Sequence, residues 1–421
     1  NNIIKAFSVL NKIYAKILIL KENIFKFKIV FSGVLRSGAS REKIILNLIY
    51  KQKKQMKKII LRLDLNVPID RKLNKIMETE RIDAVLGEIK DLSKKNNLII
   101  LSHLGKGEKG DSLALIEKYI RGKLTKEENL KVTILENTRW QKGETERVNS
   151  KEFNITSKYF AEMGDEYIDD AFANMHRAHA SMVGIPAIFK KAKKKVSLGS
   201  LAKLEIKNLS KSLTLANNKK NETVLILSGA KISTKLPLIE KFLTKGAKVV
   251  VGGGIANQIL KDIKGLNVGA SFIEKDFVLK PKLKAYLKKE IEKGNLILPI
   301  DVILQNKKVE TLENIKEKDI ISDIGPASLA LLKNKLINSK NIIINGPLGI
   351  YEKDFTEGTV ALLKEIKKSK VNIVIGGGDT LVLTKKLKMK SENNIFISTG
   401  GGAMLDFLVN DGKLPGILAL K

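Results

Sequence analysis

The chain has no cysteine, one tryptophan and three histidines in 421 residues. Without cysteine there are no disulfides, no thiolate catalysis and no cysteine-based zinc site; a reducing compartment fits, and the cytoplasm is the plain expectation. No stretch reaches the about 18 uninterrupted apolar residues of a membrane span, so no membrane partner is expected. No internal repeat or low-complexity linker is visible, which argues against a solenoid. Acidic residues are scarce: 45 Asp and Glu face 77 Lys and Arg, a formal charge of +32. Such a balance raises nucleic acid as a partner, and that reading requires a contiguous basic face and salt-dependent binding. The lysines are instead scattered among Asn and Ile, with no basic stretch interleaved with aromatics for base stacking, so we expect no specific nucleic-acid partner.

What is present is apolar patterning: 43% of the residues are hydrophobic, and the length suits two cores at roughly 150 residues each. Residues 1–55 differ in kind, being basic, apolar and poor in acids, with Ile17-Leu18-Ile19-Leu20 and Phe25-Lys26-Phe27-Lys28. We read them as an extension outside the catalytic body, with regular structure beginning just after Met56; a basic, acid-poor leader is the alternative. From there, short apolar runs alternate with segments of helical period, which predicts β-α units feeding mainly parallel sheets. Strands are expected at 58–65, 98–102, 132–136 and 165–168, with helices at 80–94 and 112–121. Residues 198–216 read as one long amphipathic helix, Leu201, Leu204, Leu209 and Leu213 near one face, suited to join two domains. A second series of strands follows at 223–228, 247–251, 296–300, 341–345, 371–375 and 395–398. In such sheets the strand C-termini face the ligand crevice, so functional residues belong just after them.

Three glycine triplets stand at such positions: 252–254, 376–378 followed by Asp379-Thr380, and 400–402 after Ser398-Thr399. Glycine permits close backbone approach and a helix N-terminus attracts phosphate, so three triplets at the strand ends of one domain point to a nucleotide site. None of them matches the P-loop or the dinucleotide fingerprint. The first half carries cationic groups at its own strand ends, in Arg62-Leu63-Asp64-Leu65-Asn66, Ser102-His103-Leu104-Gly105-Lys106, Glu136-Asn137-Thr138-Arg139 and His176-Arg177-Ala178-His179. Arginine forks suit a small, highly charged phosphate ester. His176 and His179 beside Asp169 and Asp170 have a second reading, as a metal pair.

In this order, from about residue 58 to 421, these segments resemble phosphoglycerate kinase. The resemblance is carried by Arg62-Leu63-Asp64-Leu65-Asn66-Val67-Pro68, Tyr167-Ile168-Asp169-Asp170-Ala171-Phe172, His176-Arg177-Ala178-His179, Gly229-Ala230-Lys231, Asn345-Gly346-Pro347, Gly376-Gly377-Gly378-Asp379-Thr380 and Ser398-Thr399-Gly400-Gly401-Gly402. It implies two Rossmann-like three-layer α/β/α domains with mainly parallel sheets, joined by an interdomain helix and a hinge. The ending Leu414-Pro415-Gly416-Ile417 is similar to the family's tail, which implies a return to the first domain. The domains are then residues 56–197 plus about 403–421 for phosphoglycerate, 198–216 for the helix, and 217–402 for nucleotide. The implied activity is reversible, Mg²⁺-dependent phosphoryl transfer from 1,3-bisphosphoglycerate to ADP, giving 3-phosphoglycerate and ATP, in glycolysis and gluconeogenesis, by a cytoplasmic monomer.

Position by position, the resemblance implies that Arg62, Asp64, Asn66, His103, Lys106, Arg139 and Arg177 bind the glycerate phosphate or its carboxyl end. Arg81 matches the family's catalytic arginine, and Lys231 and Lys235 match lysines that contact nucleotide phosphates and the transferring group. Gly229, Ala230, Gly253, Gly325, Asn345, Pro347, Glu352, Gly377, Gly378 and Thr380 fall on the nucleotide side. Asp379 takes magnesium, and Gly400, Gly401 and Gly402 lie near the transferring phosphate. A spacing of four puts Lys231 and Lys235 on one face if that turn is helical, and Asp379 has a second reading as a helix N-cap. The acceptor carboxylate is ionised at neutral pH, so the reaction needs no general base, and few histidines are no handicap.

Several positions depart from the family pattern. Lys106 stands where arginine and then proline are usual, and the loop after it is short; a lysine loses the bidentate fork. Asp169 stands for asparagine, Ala173 for glycine, Thr138 for leucine, and Ile344 where tryptophan often precedes Asn345. A non-catalytic, nucleotide-binding descendant and a kinase of another acyl phosphate are the rival readings. Intact Arg81, Lys231, Lys235 and Asp379 speak against the first, and the arginine set against the second.

Overall fold

Ile59 and Leu61 bury in one apolar cluster and Ile60 in another, so the first strand is covered on both faces, as a parallel sheet between helices requires. The computed structural model describes residues 56–218, 222–392 and 394–421. The extension-or-leader reading of residues 1–55 lies outside the described residues. Among these, no helix is long and apolar enough to cross a membrane.

Strands β1 (Lys58–Arg62), β4 (Asn97–Leu101), β5 (Val132–Ile134), β6 (Glu166–Asp169) and β7 (Lys195–Leu198) form a parallel sheet in the order β5-β4-β1-β6-β7. A short antiparallel hairpin, β2 (Ile69–Asp70) and β3 (Lys75–Ile76), follows β1 and leads into helix α1 (Glu80–Ser93). Helix α2 (Ser200–Asn217) then carries the chain to a second parallel sheet, of order β10-β9-β8-β14-β15-β16. Its strands are β8 (Thr223–Leu227), β9 (Lys248–Val251), β10 (Leu296–Ile297), β14 (Asn341–Asn345), β15 (Asn372–Gly376) and β16 (Ile395–Ile397). A small antiparallel sheet of β11 (Asp301–Leu304), β12 (Val309–Thr311) and β13 (Ile321–Ile324) is inserted between β10 and β14. Here too the strands alternate, Val224 and Ile226 entering one cluster and Leu225 and Leu227 another.

The helices that matter for the site are α3 (Leu236–Thr244), α4 (Gly253–Asp262), α5 (Pro326–Leu336), α6 (Gly378–Lys386), α7 (Gly401–Val409) and α8 (Pro415–Leu420). Pro326 and Pro415 open their helices, where a missing N–H leaves nothing unsatisfied. Helix α8 returns to the first sheet: it packs near β7 and the Ile185–Lys191 helix, and Gly416 N donates to Met175 O at 2.9 Å. One apolar cluster runs through both halves, joining Phe172 and Met182 to Leu227, Phe407 and Leu414.

Three expectations change. The first strand ends at Arg62 rather than 65, because the chain turns there and Leu65 N donates to the Ser102 hydroxyl at 2.9 Å. Strand β7 and the antiparallel insert have no counterpart in the sequence reading: all their strands are short, and β7 and β12 are only partly buried. On α2 the buried face is Ala202, Glu205, Leu209, Ser212, Leu213 and Ala216, whereas Leu204 is 47% exposed. Leu204 lies about 100° around the helix from Glu205, so the leucines alone do not trace the packed stripe.

Candidate active site

Arg62 closes β1 and is fully buried. Its Nε donates to the Ser181 hydroxyl at 3.0 Å, which donates in turn to Glu144 Oε1 at 2.6 Å, so a buried carboxylate balances a buried guanidinium through one oxygen. Burial pushes Glu144 up, against the pull of Arg62. The Arg62 Nη2 is buried without a hydrogen-bond partner, as is His103 Nδ1 beyond β4. Burial, then Arg62 and Arg139, bring His103 down to about 2, and the same causes bring His179 to about 3. His176 is lowered by burial and by Arg177. Arg139 is also lowered, by burial and then by Arg177 and Arg62. The ends of β1, β4 and β6 thus gather cations that repel one another and imidazoles held neutral, an arrangement that a bound polyanion relieves.

Beyond β1, Asp64 Oδ2 accepts from Arg81 Nη1 at 2.9 Å, and the Asn66 carbonyl accepts from the same nitrogen at 3.0 Å. Asn66 Oδ1 accepts from Gly105 N at 2.9 Å. Asp64 and Asn66 therefore orient Arg81, in the first turn of α1, and knit it to the His103 loop. Arg177 is exposed and donates to His176 Nε2 at 3.2 Å. Lys106 is exposed and engages none of the arginines. The metal-pair reading finds its carboxylates occupied by backbone: Asp169 accepts from Ala171 N at 3.0 Å and Asp170 from Ala202 N at 2.7 Å. Among the described residues, no three His, Asp or Glu side chains group to hold a metal.

In the second half, Lys235 Nζ donates to Asn345 Oδ1 at the end of β14, and burial lowers its pKa to about 8. The Asn345 Nδ2 is buried and unpartnered. Residues 231–235 form a turn before α3 rather than helix, so Lys231 does not share a face with Lys235; it is exposed, near Glu274. Each glycine triplet sits between a strand and a helix start. Gly229 and Ala230 pack against the first: a Cβ on Gly253 would meet Ser228 Oγ at 2.9 Å. Thr380 is buried, its hydroxyl accepting from Gly346 N at 3.1 Å, beside buried Pro347. Asp379 is exposed in the first turn of α6, where Gly377 is the cap, so it serves the helix dipole rather than capping. Burial, then Glu352 and Glu78, raise its pKa. Gly325 stands apart: the space its side chain would need is filled by Asp301, whose carboxylate accepts from Ala327 N and Ser328 N at the start of α5.

A cleft of about 620 Å³ opens between the halves, lined by Asn66, Arg81 and Gly105 from the first and by Gly378, Asp379 and Thr399 from the second. Polar contacts also link the halves beside the cleft. Lys385 on α6 pairs with Glu80 on α1 at 2.5 Å, and Glu205 on α2 accepts from Thr399 N at 2.7 Å and from its hydroxyl at 2.9 Å. Gly400 lies against Phe172, where a Cβ would stand 2.6 Å from the ring, while Gly378 and Gly402 face open space.

Sequence reasoning missed Glu144, Glu205 and Phe272. The first two are single glutamates outside any motif, and only their burial marks them. Phe272 is 53% exposed beside Gly254, where a Cβ would meet its ring at 3.0 Å. An aromatic residue on a loop of a chain with 5% aromatics is the one signal that was there to read.

The family model for phosphoglycerate kinase matches residues 49–127 and 112–411. A phosphoglycerate kinase of Geotalea uraniireducens is 37% identical over 398 residues, covering 87% of this chain and 95% of that protein. One from Coxiella burnetii is 35% identical over 393 residues, covering 86% and 95%. The solved phosphoglycerate kinase of Coxiella burnetii superposes with a TM-score of 0.71 at 32% identity, covering 87% of this chain and 96% of that one. That of Pyrococcus horikoshii gives 0.69 at 26%, covering 86% and 96%.

Proposed function

Because the chain belongs to the phosphoglycerate kinase family, a family of kinases, we propose that it moves a phosphoryl group reversibly between 1,3-bisphosphoglycerate and ADP. In that direction the bond from phosphorus to the acyl oxygen breaks, a bond to the terminal ADP oxygen forms, and 3-phosphoglycerate leaves as a carboxylate with ATP. The observation that carries this reading is the cleft, with Arg81 on one wall and the Gly378–Asp379 helix start on the other. The arginine and histidine donors of the first half suit the glycerate phosphate, with buried Arg62, half-buried Arg139 and exposed Arg177 as the anion set. Lys235, Asn345 and the glycine turns suit the nucleotide phosphates, with Phe272 offering a ring face to the base.

Transfer needs charge neutralisation on the phosphoryl oxygens and in-line positioning, rather than a base. Arg81 is pre-positioned by Asp64 and Asn66, and Lys235 is desolvated, which strengthens its attraction for an arriving phosphate. Mg²⁺ fits Asp379: a carboxylate in the cleft whose protonation is favoured by burial and then by neighbouring Glu352 and Glu78 is one a hard cation would relieve. The ion, when bound, would share the charge of the nucleotide phosphates. The domain division proposed is residues 56–197 with about 403–421, helix 198–216, and 217–402, with closure bringing the two substrates together. A cytoplasmic monomer in glycolysis and gluconeogenesis completes the reading.

The test is a coupled assay of ATP-dependent 3-phosphoglycerate phosphorylation with Mg²⁺, on the wild type, Arg81→Ala and Lys235→Ala. The expectation is turnover that each substitution lowers by at least about 100-fold, the scale of losing one preorganised charge contact. A folded wild type that binds nucleotide and does not turn over would sink the catalytic reading.

A further inference from the structure

We propose that Asp111 is a positioning residue for the anion-binding half: it builds the 105–111 turn around its own carboxylate, and that turn sets the Arg139 guanidinium. The proposal rests on the reading that this half binds 3-phosphoglycerate.

Asp111 is 1% exposed. Its Oδ2 accepts from Gly107 N and Glu108 N, each at 2.9 Å, and its Oδ1 accepts from Arg71 Nη2 on the β2–β3 hairpin. Gly105, at φ +54°, has no room for a side chain, because a Cβ there would lie 2.5 Å from Asp111 Cγ. Consecutive amides turned toward one point form a concavity that takes an anion. Here the chain's own carboxylate fills it, so the turn is not the phosphate cradle and its work is done on a neighbour.

That neighbour is Arg139. Its Nη1 donates to the Gly105 carbonyl, and its backbone N donates to Asn137 Oδ1 at 3.1 Å. Asn137 is itself tied to the turn, its Nδ2 donating to Asp111 O at 2.8 Å and to Leu104 O at 2.7 Å. Arg139 is thus fixed at head and backbone by one structure, whose fold depends on Asp111. Its Nε stays buried and unpartnered. The negative charge of Asp111 also opposes the burial that weakens Arg139's protonation. Arg71 is 60% exposed and acts as the outer tether.

The experiment compares Asp111→Asn and Arg71→Met with the wild type, reading KM for each substrate, the unfolding midpoint, and amide hydrogen exchange without substrate. Asp111→Asn is expected to raise KM for 3-phosphoglycerate about tenfold, the scale of one weakened charge-assisted contact, with KM for ATP unchanged. Arg71→Met shifts the same constant by about threefold at an unchanged unfolding midpoint, since an exposed side chain contributes little to stability. Equal shifts in both KM values, or no shift for 3-phosphoglycerate in either variant, overturn the proposal. A wild type without turnover defeats the functional reading instead. Exchange then decides: lost protection at Gly107 and Glu108 that extends to the Arg139 amide in Asp111→Asn supports the positioning, and protection retained there overturns it.

Discussion

Lys235 and Glu205 are two charges that burial disfavours, and each predicts a pH dependence of opposite origin. Lys235, lowered to about 8, is cationic below that pH and neutral above it. The kcat/KM for ATP, which reports the free enzyme, is expected to bend downward as pH rises through about 8, and Lys235→Arg to move the bend out of range. A pH profile of both proteins checks this, and an identical bend in each would rule Lys235 out as its source. Glu205 is raised from 4.5 to about 7 by burial. The folded protein therefore keeps a proton that the unfolded chain has lost between those values, and its contribution to stability declines as pH rises through that window. Glu205→Gln removes the decline, so the variant gains on the wild type between pH 5 and pH 8 in chemical denaturation. His103 and His179, lowered to about 2 and about 3, pull the other way, their contribution being lost as pH falls below about 6.5. Only the difference between the two proteins isolates the glutamate.

At the scale of elements, the α2 helix separates pattern from packing. Leu209→Ala is expected to cost about 2–5 kcal/mol and Leu204→Ala less than about 0.5, because one leucine is buried and the other is not; denaturant midpoints decide it. Gly400→Ala is expected to destabilise by about 1–3 kcal/mol, its methyl meeting Phe172. The parallel sheets were legible because their strands are buried on both faces and stand out as unbroken aliphatic runs. Strand β7 was not, since Lys195-Val196-Ser197-Leu198 is polar at alternate positions and takes its identity from pairing with β6. The same holds in the site. Asp64, Asn66 and Arg81 sit in motifs and meet beyond β1, with Asn66 and Arg81 lining the cleft, while Lys235 meets Asn345 in the second half and Lys106 and Gly325 do not line the cleft. Whether a side chain turns inward depends on partners far along the chain: Glu144 is buried because Ser181 and Arg62 meet it, and no local spacing encodes that.

For the whole molecule, the Glu80–Lys385 pair is a polar link across the cleft on exposed side chains. Such pairs are worth about 0–1 kcal/mol and are screened by salt. Lys385→Met is therefore expected to shift the ligand-free protein toward larger radii in small-angle scattering, by a modest population change that 0.5 M salt reproduces in the wild type to about the same extent. Equal profiles at low salt would mean that the pair has no hold on the cleft. Helix α8 has a different reach. It leaves the second sheet and seats itself beside β7 and the Ile185–Lys191 helix. During synthesis the first sheet leaves the ribosome with a berth still vacant, and it must wait for all six strands of the other sheet to be made before that berth is filled. Completion of the first half is thus deferred until Pro415–Leu420 has been made, and during that interval its uncovered apolar edge is a surface for chaperones to guard.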